Sequence, residues 1–483
     1  LAALAPGRSD PWSSPLALKE ADRLFAEEKR YNFLMSKTYR PYEPDQILLL
    51  PPSVKDWLPA GHLAHFVSDL AEKLDLNAIV GVYEREELGH PPYHPVMMVK
   101  VLLYAYCVGL PSSRRIERGL IEDVALRYLA ANNTPDFRTI SDFRKRHLTE
   151  LRGLFVQVLK LCQKAGMVKL GHVALDGTKM KANASKHKAM SYDRMTKEEA
   201  RLQSEVERLL REAEETDARE DGFYGADKRG DELPAELAFR ESRLKKIREA
   251  KEALEREAVE AARAEGKGAP EEAKPAEKAQ KNFTDPESRI MPSSTDKKSF
   301  VQGYNAQAAV DDQEQVIVAA DVTQQTNDKQ QAVPMLEQVK GNTGAAPTFA
   351  SLDAGYYSED NVTGVEEYGT EAFIPPDRVK HGEKIPDCPR GRIPSDLSTM
   401  DRMRRKLRTK RGRRLYAERK TIAEPVFGQI KQGRGFRQFL LRGLEKVKGE
   451  WSLICTTHNL LKLWRTTGSG AFGPVQCQRL AFG

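Results

Sequence analysis

The spacing of apolar residues predicts a helical first part of the chain, from residue 45 to 168. In HLAHFVSDLAEKL, residues 62–74, apolar side chains recur every three or four positions, which predicts an amphipathic helix. The stretch PVMMVKVLLYAYCVGL, residues 95–110, is apolar on nearly every side. It therefore predicts a buried core helix that ends at Gly109 and Pro111.

Two later stretches of this first part carry local signals. SSRRIERGLIEDVALRYLA, residues 112–130, predicts one helix with Ser112 or Ser113 as its N-cap. TPDFRTISDFRKRH, residues 134–147, predicts a short helix, a turn and a second helix, which is compatible with a helix-turn-helix that binds DNA. An ordinary surface helix of a bundle explains the same residues equally well. On the first interpretation the candidate DNA contacts are Arg138, Arg144, Lys145 and Arg146.

The pattern changes to that of a strand at residues 168–185 and to that of a charged helical hairpin at residues 194–281. Each arm of the hairpin carries a narrow apolar stripe: Leu202, Val206, Leu209 and Ala213 on the first, and Leu237, Leu244, Ile247 and Leu254 on the second. The exit, residues 266–281, is rich in Pro, Lys, Glu and Ala and predicts disorder or weak helix. The hairpin is either a spacer or a surface that contacts DNA or a partner subunit.

Strands and helices then alternate to the end of the chain. Residues 300–311 and 315–325 predict a β-hairpin, and residues 328–342 predict a helix that ends at Gly341. Two further short strands follow, and the pattern is helical again from about 400 to 464. This succession argues for an α/β core with a mixed sheet, split in sequence by the charged hairpin.

Composition limits the class of protein. The chain has 483 residues, 40% hydrophobic and 30% charged, and no apolar run approaches the roughly 20 residues that a bilayer span needs. The five cysteines are scattered without a CxxC pair, which argues against a disulfide framework or a zinc site. We therefore expect a soluble, cytoplasmic protein. Residues 1–34 are expected to be a non-native or disordered extension before a natural start at Met35, and residues 465–483 a disordered tail.

Positive charge is concentrated in one stretch. The net charge is +7, but the run from Arg402 to Lys420 contains eleven Lys and Arg and one acid, Glu418. Such a run attracts polyanions, nucleic acids among them. A solvated charge block is the alternative.

Three carboxylates stand at positions that suit metal chemistry. Asp176 ends the strand HVAL, Asp353 ends the strand TFASL, and Glu424 lies in a helical stretch after the basic run. Adjacent strands that end at one edge of a sheet bring such side chains together, and a packed helix can add a third. Mg²⁺ prefers oxygen ligands, and two ions about 3.5–4 Å apart stabilise both the attacking and the leaving oxygen of a phosphoryl displacement. Lys179 and Lys181 suit a substrate with a phosphate backbone.

Other acids lie in or beside the same predicted strands: Asp311, Asp312, Asp321 and Asp328. Asp321 is the main rival of Asp176. We prefer Asp176 because Asp321 is followed by more strand-like residues and lacks basic neighbours.

Several ordered blocks of the sequence carry a resemblance to a known family. They are GHVALDGTKMKANASKHKAMSY, NFTDPESRIM, FVQGYNAQAAVD, VIVAADVTQQTNDK, LDAGYYS and EPVFGQIKQGRGFRQFLLRGLEKVKGEWSLICTTHNLLKLW, with TYRPYEPDQILLLPPS and HPVMMVKVLLYAYCVG in the first part. The order of these blocks resembles the DDE transposases of bacterial insertion sequences, in the group written out as IS eleven-eighty-two, and the resemblance covers residues 35–464. It implies an RNase H-like catalytic domain at 168–193 and 282–464, interrupted by the helical insertion 194–281, and an all-α N-terminal domain for DNA binding and assembly at 35–167.

By resemblance, the catalytic and metal-binding acids are Asp176, Asp353 and Glu424. They hold two Mg²⁺ ions, for which Mn²⁺ can substitute. The DNA-binding residues expected around them are Lys179, Lys181, Arg419, Lys420, Lys431, Arg434 and Arg437.

Related elements carry a signature around the Glu: Tyr, two residues, Arg, three residues, Glu, six residues, Lys. Glu424 and Lys431 have the six-residue gap. Arg419 follows Tyr416 after two residues, but four residues separate it from Glu424, whereas Lys420 restores the gap of three. Either can therefore take the role of the Arg. Because a proline follows Glu424 directly, we also expect a kink or a helix start there.

The resemblance implies a transposase that binds the terminal inverted repeats of its element, as a homodimer or higher oligomer on double-stranded DNA. It would cleave a strand at each end and join the freed 3′-hydroxyl to target DNA, in the bacterial cytoplasm and in association with the nucleoid. Two alternatives stay open. One is a stand-alone metal-dependent nuclease on the same fold, and the other is a catalytically decayed remnant that only binds DNA.

Overall fold

The computed structural model describes residues 53–85, 91–224, 235–264, 270–292, 299–377, 391, 394 and 396–468. Up to residue 164 the described chain is helical. Its helices are α1 (Leu63–Ala71), α2 (Asn77–Glu84), α3 (Pro95–Cys107), α4 (Ser113–Glu122), α5 (Val124–Leu129), α6 (Phe137–Arg146) and α7 (Leu148–Lys164).

The buried helix predicted at 95–110 is confirmed as α3. Eleven of its residues are buried, from Pro95 to Cys107. It ends before Gly109, whose φ of 76° is a left-handed conformation that glycine adopts without strain. A Cβ at Gly109 would also lie 2.4 Å from the Arg434 carbonyl oxygen, so this turn packs directly against the last part of the chain.

Two helix predictions in the first part need correction. Residues 112–130 form two helices because the Asp123 carboxylate accepts hydrogen bonds from the amides of Ala125 (2.7 Å) and Leu126 (3.0 Å) and so begins α5. Ser112 is the N-cap of α4, although its side chain makes no capping bond. The helix, turn and helix expected at 134–147 is wrong, since this stretch is the single helix α6.

Strands occupy the middle of the chain: β1 (His172–Lys181), β2 (Ala189–Ser191), β3 (Gln280–Asn282), β4 (Arg289–Pro292), β5 (Phe300–Asp311), β6 (Ile317–Thr323), β7 (Phe349–Leu352) and β8 (Glu371–Phe373). In the main sheet β5 is antiparallel to β4 and β6 on one side and to β1 on the other. β1, β7 and β8 then run parallel. The mixed sheet is confirmed.

A long helical hairpin separates β1 from β5, as predicted. Its arms are α8 (Tyr192–Tyr224) and α9 (Ala235–Ala264). The ion pairs between the arms show that they are antiparallel: Glu198 pairs with Arg243 (3.0 Å), and Glu205, further along the first arm, pairs with the earlier residue Arg240 (3.1 Å). Five stripe residues are buried between them: Leu202, Val206, Leu244, Ile247 and Leu254. The side chains of Ala213 and Leu237 lie outside the described residues.

The exit of the hairpin is partly regular. Residues 265–269 lie outside the described residues, but β3 includes Gln280 and Lys281 and pairs with β2. The disorder or weak helix expected at 266–281 is therefore wrong for the last two residues of that stretch, because they belong to the small antiparallel sheet at the base of the hairpin.

Helices pack around the main sheet: α10 (Ala332–Thr343), α11 (Glu359–Glu367), α12 (Thr399–Arg408), α13 (Lys410–Gly428) and α14 (Leu444–Gly468). The end of α10 expected at Gly341 is wrong by three residues, since its left-handed C-cap is Gly344, with φ of 85°. α14 continues to Gly468, beyond the predicted start of the tail. Residues 1–34 and 469–483 lie outside the described residues.

One hydrophobic core joins the N-terminal helices, the sheet and α14, from Leu63 to Leu463. Trp451 of α14 is fully buried, and its indole N–H donates to the Gln307 carbonyl in β5 (2.9 Å). The cysteines among the described residues are unbridged and buried: Cys107, Cys162 and Cys455. Within the described residues, the helices lack the combination of length and apolar character that would let one span a bilayer.

Candidate active site

Strand register places two aspartates side by side. Pairing between β1 and β7 ends at Leu175 and Leu352, and the next residues are Asp176 and Asp353. Because these strands are parallel, both carboxylates lie at the same end of the shorter strand, β7. Asp353 Oδ1 also accepts a hydrogen bond from the Gly355 amide (2.6 Å). The expectation that Asp176 ends its strand is wrong, since β1 continues to Lys181 and Asp176 lies where its neighbour β7 stops.

α13 brings a guanidinium to this pair. Arg419 Nη1 lies 3.2 Å from Asp176 Oδ2, and the two side chains are 10% and 18% exposed. The Arg419 guanidinium also lies over the Tyr416 ring, 5.8 Å from its centroid. Lys420 is exposed. The geometry thus brings Arg419 to the carboxylates and leaves Lys420 at the surface.

The environment of Asp176 disfavours its charge. Burial raises the pKa of Asp176 to about 6, Arg419 opposes this shift, and Asp353 and Asp328 add to it. A carboxylate that is buried beside other carboxylates is stabilised by a nearby cation. Asp176 and Asp353 therefore suit a divalent cation as an oxygen-ligand pair.

Glu424 occupies a more open position on α13. Its side chain is exposed. Burial lowers the pKa of Arg419, but Asp176, Tyr416, Asp353 and Glu424 each raise it, and the net shift is upward. All three predicted acids therefore act on one guanidinium. Among the described residues, no three His, Cys, Asp or Glu side chains are grouped closely enough to hold a metal ion, so Glu424 does not close a preformed three-ligand site.

The chain after Glu424 forms a wide turn. α13 continues through Pro425 to Gly428, so the helix start expected there is wrong, and a π-helical turn follows at Gln429–Gly433. Lys431 lies in this turn. Its Nζ donates to Thr178 Oγ1 (2.5 Å) and to the Lys179 carbonyl (2.9 Å), which ties the turn to β1. Burial lowers the pKa of Lys431 to about 8, although Asp176 opposes this shift.

Two of the predicted DNA-binding arginines are turned inward. Arg144 is 4% exposed, and its Nη1 donates to Tyr106 Oη (2.9 Å) and to the Pro111 carbonyl (2.8 Å). Arg434 donates to Thr457 Oγ1 (2.8 Å) and to the Ile454 carbonyl (3.1 Å). These contacts give both side chains a structural role inside the protein, and their contact with DNA stays a prediction.

The other predicted DNA-binding residues divide by exposure. Lys179 is 15% exposed and lies 3.6 Å from Asp328. Six lie at the surface: Arg138, Lys145, Arg146, Lys181, Lys420 and Arg437.

The basic run is partly neutralised within the protein. Arg404 pairs with Asp377 (2.6 Å), and Arg411 pairs with Glu371 (2.5 Å). Lys406 also lies 3.3 Å from Glu371. The charge that this run offers to a polyanion is therefore smaller than its composition indicates.

The structure adds two amides that the sequence analysis did not name, Asn305 and Gln307, and places Asp328 against them. Asp328 is the acceptor for the side-chain amides of Asn305 (2.6 Å) and Gln307 (2.7 Å). Alternate polar positions in the otherwise apolar strand YNAQAAV were the available signal for these two amides. Asp328 itself lies in a loop, where sequence spacing fixes no partner. Asp321, the rival of Asp176, pairs instead with Lys448 (3.2 Å).

The sheet order and its paired aspartates define an RNase H-like domain with a candidate phosphoryl-transfer site. The sequence comparisons agree with this class. Residues 52–146 match the family described as Transposase domain (DUF772), and residues 269–460 match the family described as Transposase DDE domain. The chain therefore belongs to the DDE transposases of insertion sequences.

The DDE match covers two of the three predicted catalytic acids. Asp353 and Glu424 lie inside the DDE region and Asp176 precedes it. No curated protein and no solved structure matches the chain significantly. The particular insertion-sequence group stays a prediction.

Proposed function

We propose that this transposase binds the terminal inverted repeats of its element as a homodimer or higher oligomer, cuts one strand at each end and transfers the freed 3′-hydroxyl to target DNA. The observation that carries this proposal is the placement of Asp176 and Asp353 side by side where β7 ends. A divalent ion, Mg²⁺ or Mn²⁺, would supply Lewis-acid activation of the attacking oxygen and neutralise charge at the phosphate.

Acidic residues of the chain would bind the metal, and basic residues would contact the phosphodiester. Asp176 and Asp353 would hold the cation, and the exposed Glu424 would add a ligand from α13. In the described part of the chain, no cationic side chain pairs with Asp353, so its carboxylate is available. Arg419 and Lys431 would place positive charge beside the scissile phosphate, which stabilises the charge that develops during transfer.

Exposed cations near the site would position the DNA backbone. Lys181, at the end of β1, and Gln438 form a parallel bridge, so β1 and the segment after the π-helical turn are adjacent. Arg437, on the same segment, is exposed as well, as is Lys420 on α13. Such residues contribute affinity through phosphate contacts and little sequence preference. The N-terminal helices would then supply end recognition and assembly.

The test is strand cleavage of a labelled duplex that carries the element's own end, with Mg²⁺, comparing the parent protein with Asp353→Asn. We expect a defined nick at the element boundary that the variant loses by at least about 100-fold while end binding survives. Asp69→Asn is the matched control, because Asp69 is exposed on α1. Tight end binding without cutting by the parent protein would refute the catalytic proposal and favour a DNA-binding remnant.

A further inference from the structure

A third aspartate reaches the site from the loop between β6 and α10. Asp328 Oδ1 accepts hydrogen bonds from Asn305 Nδ2 (2.6 Å) and Gln307 Nε2 (2.7 Å). Gln307 is itself fixed, because its Oε1 accepts a hydrogen bond from the buried Tyr356 hydroxyl. Asp328 is 18% exposed. The carboxylate is therefore held in one orientation by two amides of β5.

Two glycines leave room for this carboxylate beside the predicted catalytic pair. A Cβ at Gly177, next to Asp176, would lie 2.4 Å from Gln307 Nε2 and 2.9 Å from Asp328 Oδ1. A Cβ at Gly355 would lie 2.8 Å from Asp353 Oδ1 and 3.4 Å from Asp328 Oδ2. The second oxygen of Asp328 thus lies on the same side of Gly355 as the Asp353 carboxylate.

Lys179 lies beside Asp328 and within electrostatic reach of the predicted catalytic pair. Its Nζ lies 3.6 Å from Asp328 Oδ1, and its side chain is 15% exposed. Burial lowers the pKa of Lys179, while Asp328 and then Asp353 and Asp176 raise it, so all three carboxylates act on one ammonium. Within the described residues, Lys179 Nζ has no hydrogen-bond partner.

An unpartnered acceptor lies at the same place. Asn305 is fully buried, and its Oδ1 has no hydrogen-bond partner in the part of the chain that is described. This oxygen would lie 3.1 Å from a Cβ at Gly177, so it faces β1 beside Asp176. A buried acceptor without a donor is costly unless a cationic group comes within reach.

We propose that Asp328 is a positioning residue of the catalytic site, which holds the Lys179 ammonium on β1 and so keeps that ammonium from competing with a divalent cation for Asp176 and Asp353. The inference rests on the proposed function for the role of that cation. If the Asp328 charge is removed, Asp353 and Asp176 are the carboxylates that still act on the buried ammonium. An ion pair there competes directly with a divalent cation, because a poorly solvated ammonium requires a counter-charge.

The experiment measures Mn²⁺ binding by electron paramagnetic resonance, which needs no DNA and no turnover. Asp328→Asn should weaken Mn²⁺ binding about tenfold, a coupling typical of neighbouring charges. The double variant Asp328→Asn/Lys179→Met should recover binding to within about threefold of the parent protein, since the competing ammonium is gone. Asp69→Asn is the control for an exposed Asp→Asn change and should bind as the parent does.

Three results would overturn the proposal. The first is Asp328→Asn binding Mn²⁺ as tightly as the parent protein, and the second is a parent protein that binds none. The third is a double variant as weak as Asp328→Asn, which would make Asp328 act independently of Lys179. Thermal unfolding of each variant confirms that it is folded. If the parent binds Mn²⁺ with this pattern and still cuts no DNA, the proposed function fails while the role of Asp328 stands.

Discussion

At the scale of single residues, burial decides what each charged side chain can do. Arg144 and Lys145 are neighbours in the sequence and equally basic, yet Arg144 is buried and bonded to Tyr106 and Pro111, whereas Lys145 is exposed and pairs with Asp142 (3.1 Å). At Asp176, burial acts on the charge itself, because the negative charge of the carboxylate is unfavourable where the side chain is buried.

The pH dependence of stability should report the cost of burying Asp176. The pKa of Asp176 lies at about 6 in the folded protein against an ordinary value of 3.8, so it stabilises the fold at low pH and this contribution is lost as pH rises through 6. Relative to Asp176→Asn, the parent protein should lose about 1.4 kcal/mol of unfolding free energy between about pH 5 and about pH 7.5 without metal. The unpaired Arg419 of the variant adds a constant offset, because it does not titrate in this range.

Urea unfolding followed by tryptophan fluorescence, to which the fully buried Trp451 contributes, gives this difference. Parallel pH profiles for the parent protein and Asp176→Asn would contradict the burial argument.

Arg144 and Lys145 give a matched pair for end binding. Lys145→Gln should weaken binding of the element's end by a similar factor for all DNA sequences and reduce the salt slope by about one, if α6 contacts the backbone. Arg144→Met should instead destabilise the fold by about 3 kcal/mol, since it removes hydrogen bonds from buried partners. Fluorescence anisotropy at several salt concentrations and thermal unfolding separate the two effects. Unchanged affinity and slope in Lys145→Gln would exclude α6 as a DNA contact.

At the scale of elements, β1 is the organising strand of the site. It carries Asp176 next to Asp353, receives Lys431 on Thr178, and presents Gly177 to the polar group around Asp328. These contacts with β1 are possible because the neighbouring strand β7 is short. Beyond Leu175, that edge of β1 has no pairing to β7, and the π-helical turn approaches β1 instead.

Gly177→Ala tests how tightly this element is packed. The new methyl would meet Gln307 Nε2 at 2.4 Å, and Gln307 is buried and held by Tyr356, so it cannot move freely. We expect a loss of about 1–3 kcal/mol in unfolding free energy and slower strand cleavage. The control is Gly153→Ala in α7, which meets nothing within 4 Å and should be neutral or stabilising by up to about 1 kcal/mol. Equal stability of Gly177→Ala and the parent protein would show that Gln307 and Asp328 shift at no cost.

At the scale of the whole molecule, the helical hairpin has its own small core. That core comprises Met195, Leu202, Leu244, Ile247, Ala250 and Leu254 and is separate from the large core. We expect the hairpin to open independently of the sheet, because local stability follows local packing.

Ile247→Ala tests this independence. Ile247 is 1% exposed, and its truncation should cost the hairpin about 2–4 kcal/mol. Hydrogen exchange should accelerate in peptides from α8 and α9 and stay unchanged in β1 and β5. Leu210→Ala, at a site 38% exposed on α8, should have little effect. Faster exchange in the sheet as well would mean that the two cores unfold together.

The sequence by itself determined the elements and their kind. Apolar periodicity identified the buried helix α3, the strand segments that lead up to Asp176 and Asp353, and the stripes of the hairpin, because burial of one face is a local property of the residue pattern. The resemblance of ordered blocks identified the transposase family, which the domain matches confirm. Local capping decided two of the corrections: the Asp123 side chain begins α5 and Gly344 ends α10, and such caps are only weakly specified by periodicity.

The tertiary structure decided which charged residues share a site. No spacing rule distinguishes Arg419 from Lys420, and the choice follows from the face of α13 that packs on the sheet. Asp328 joins Asp176 and Asp353 through a loop and two amides of β5, over distances in sequence that pattern does not encode. The exposure of a side chain and its hydrogen-bond partners depend on how the chain is packed. They distinguish the buried Arg144 and the inward-facing Arg434 from the surface cations only once the helices are placed against α14 and its neighbours.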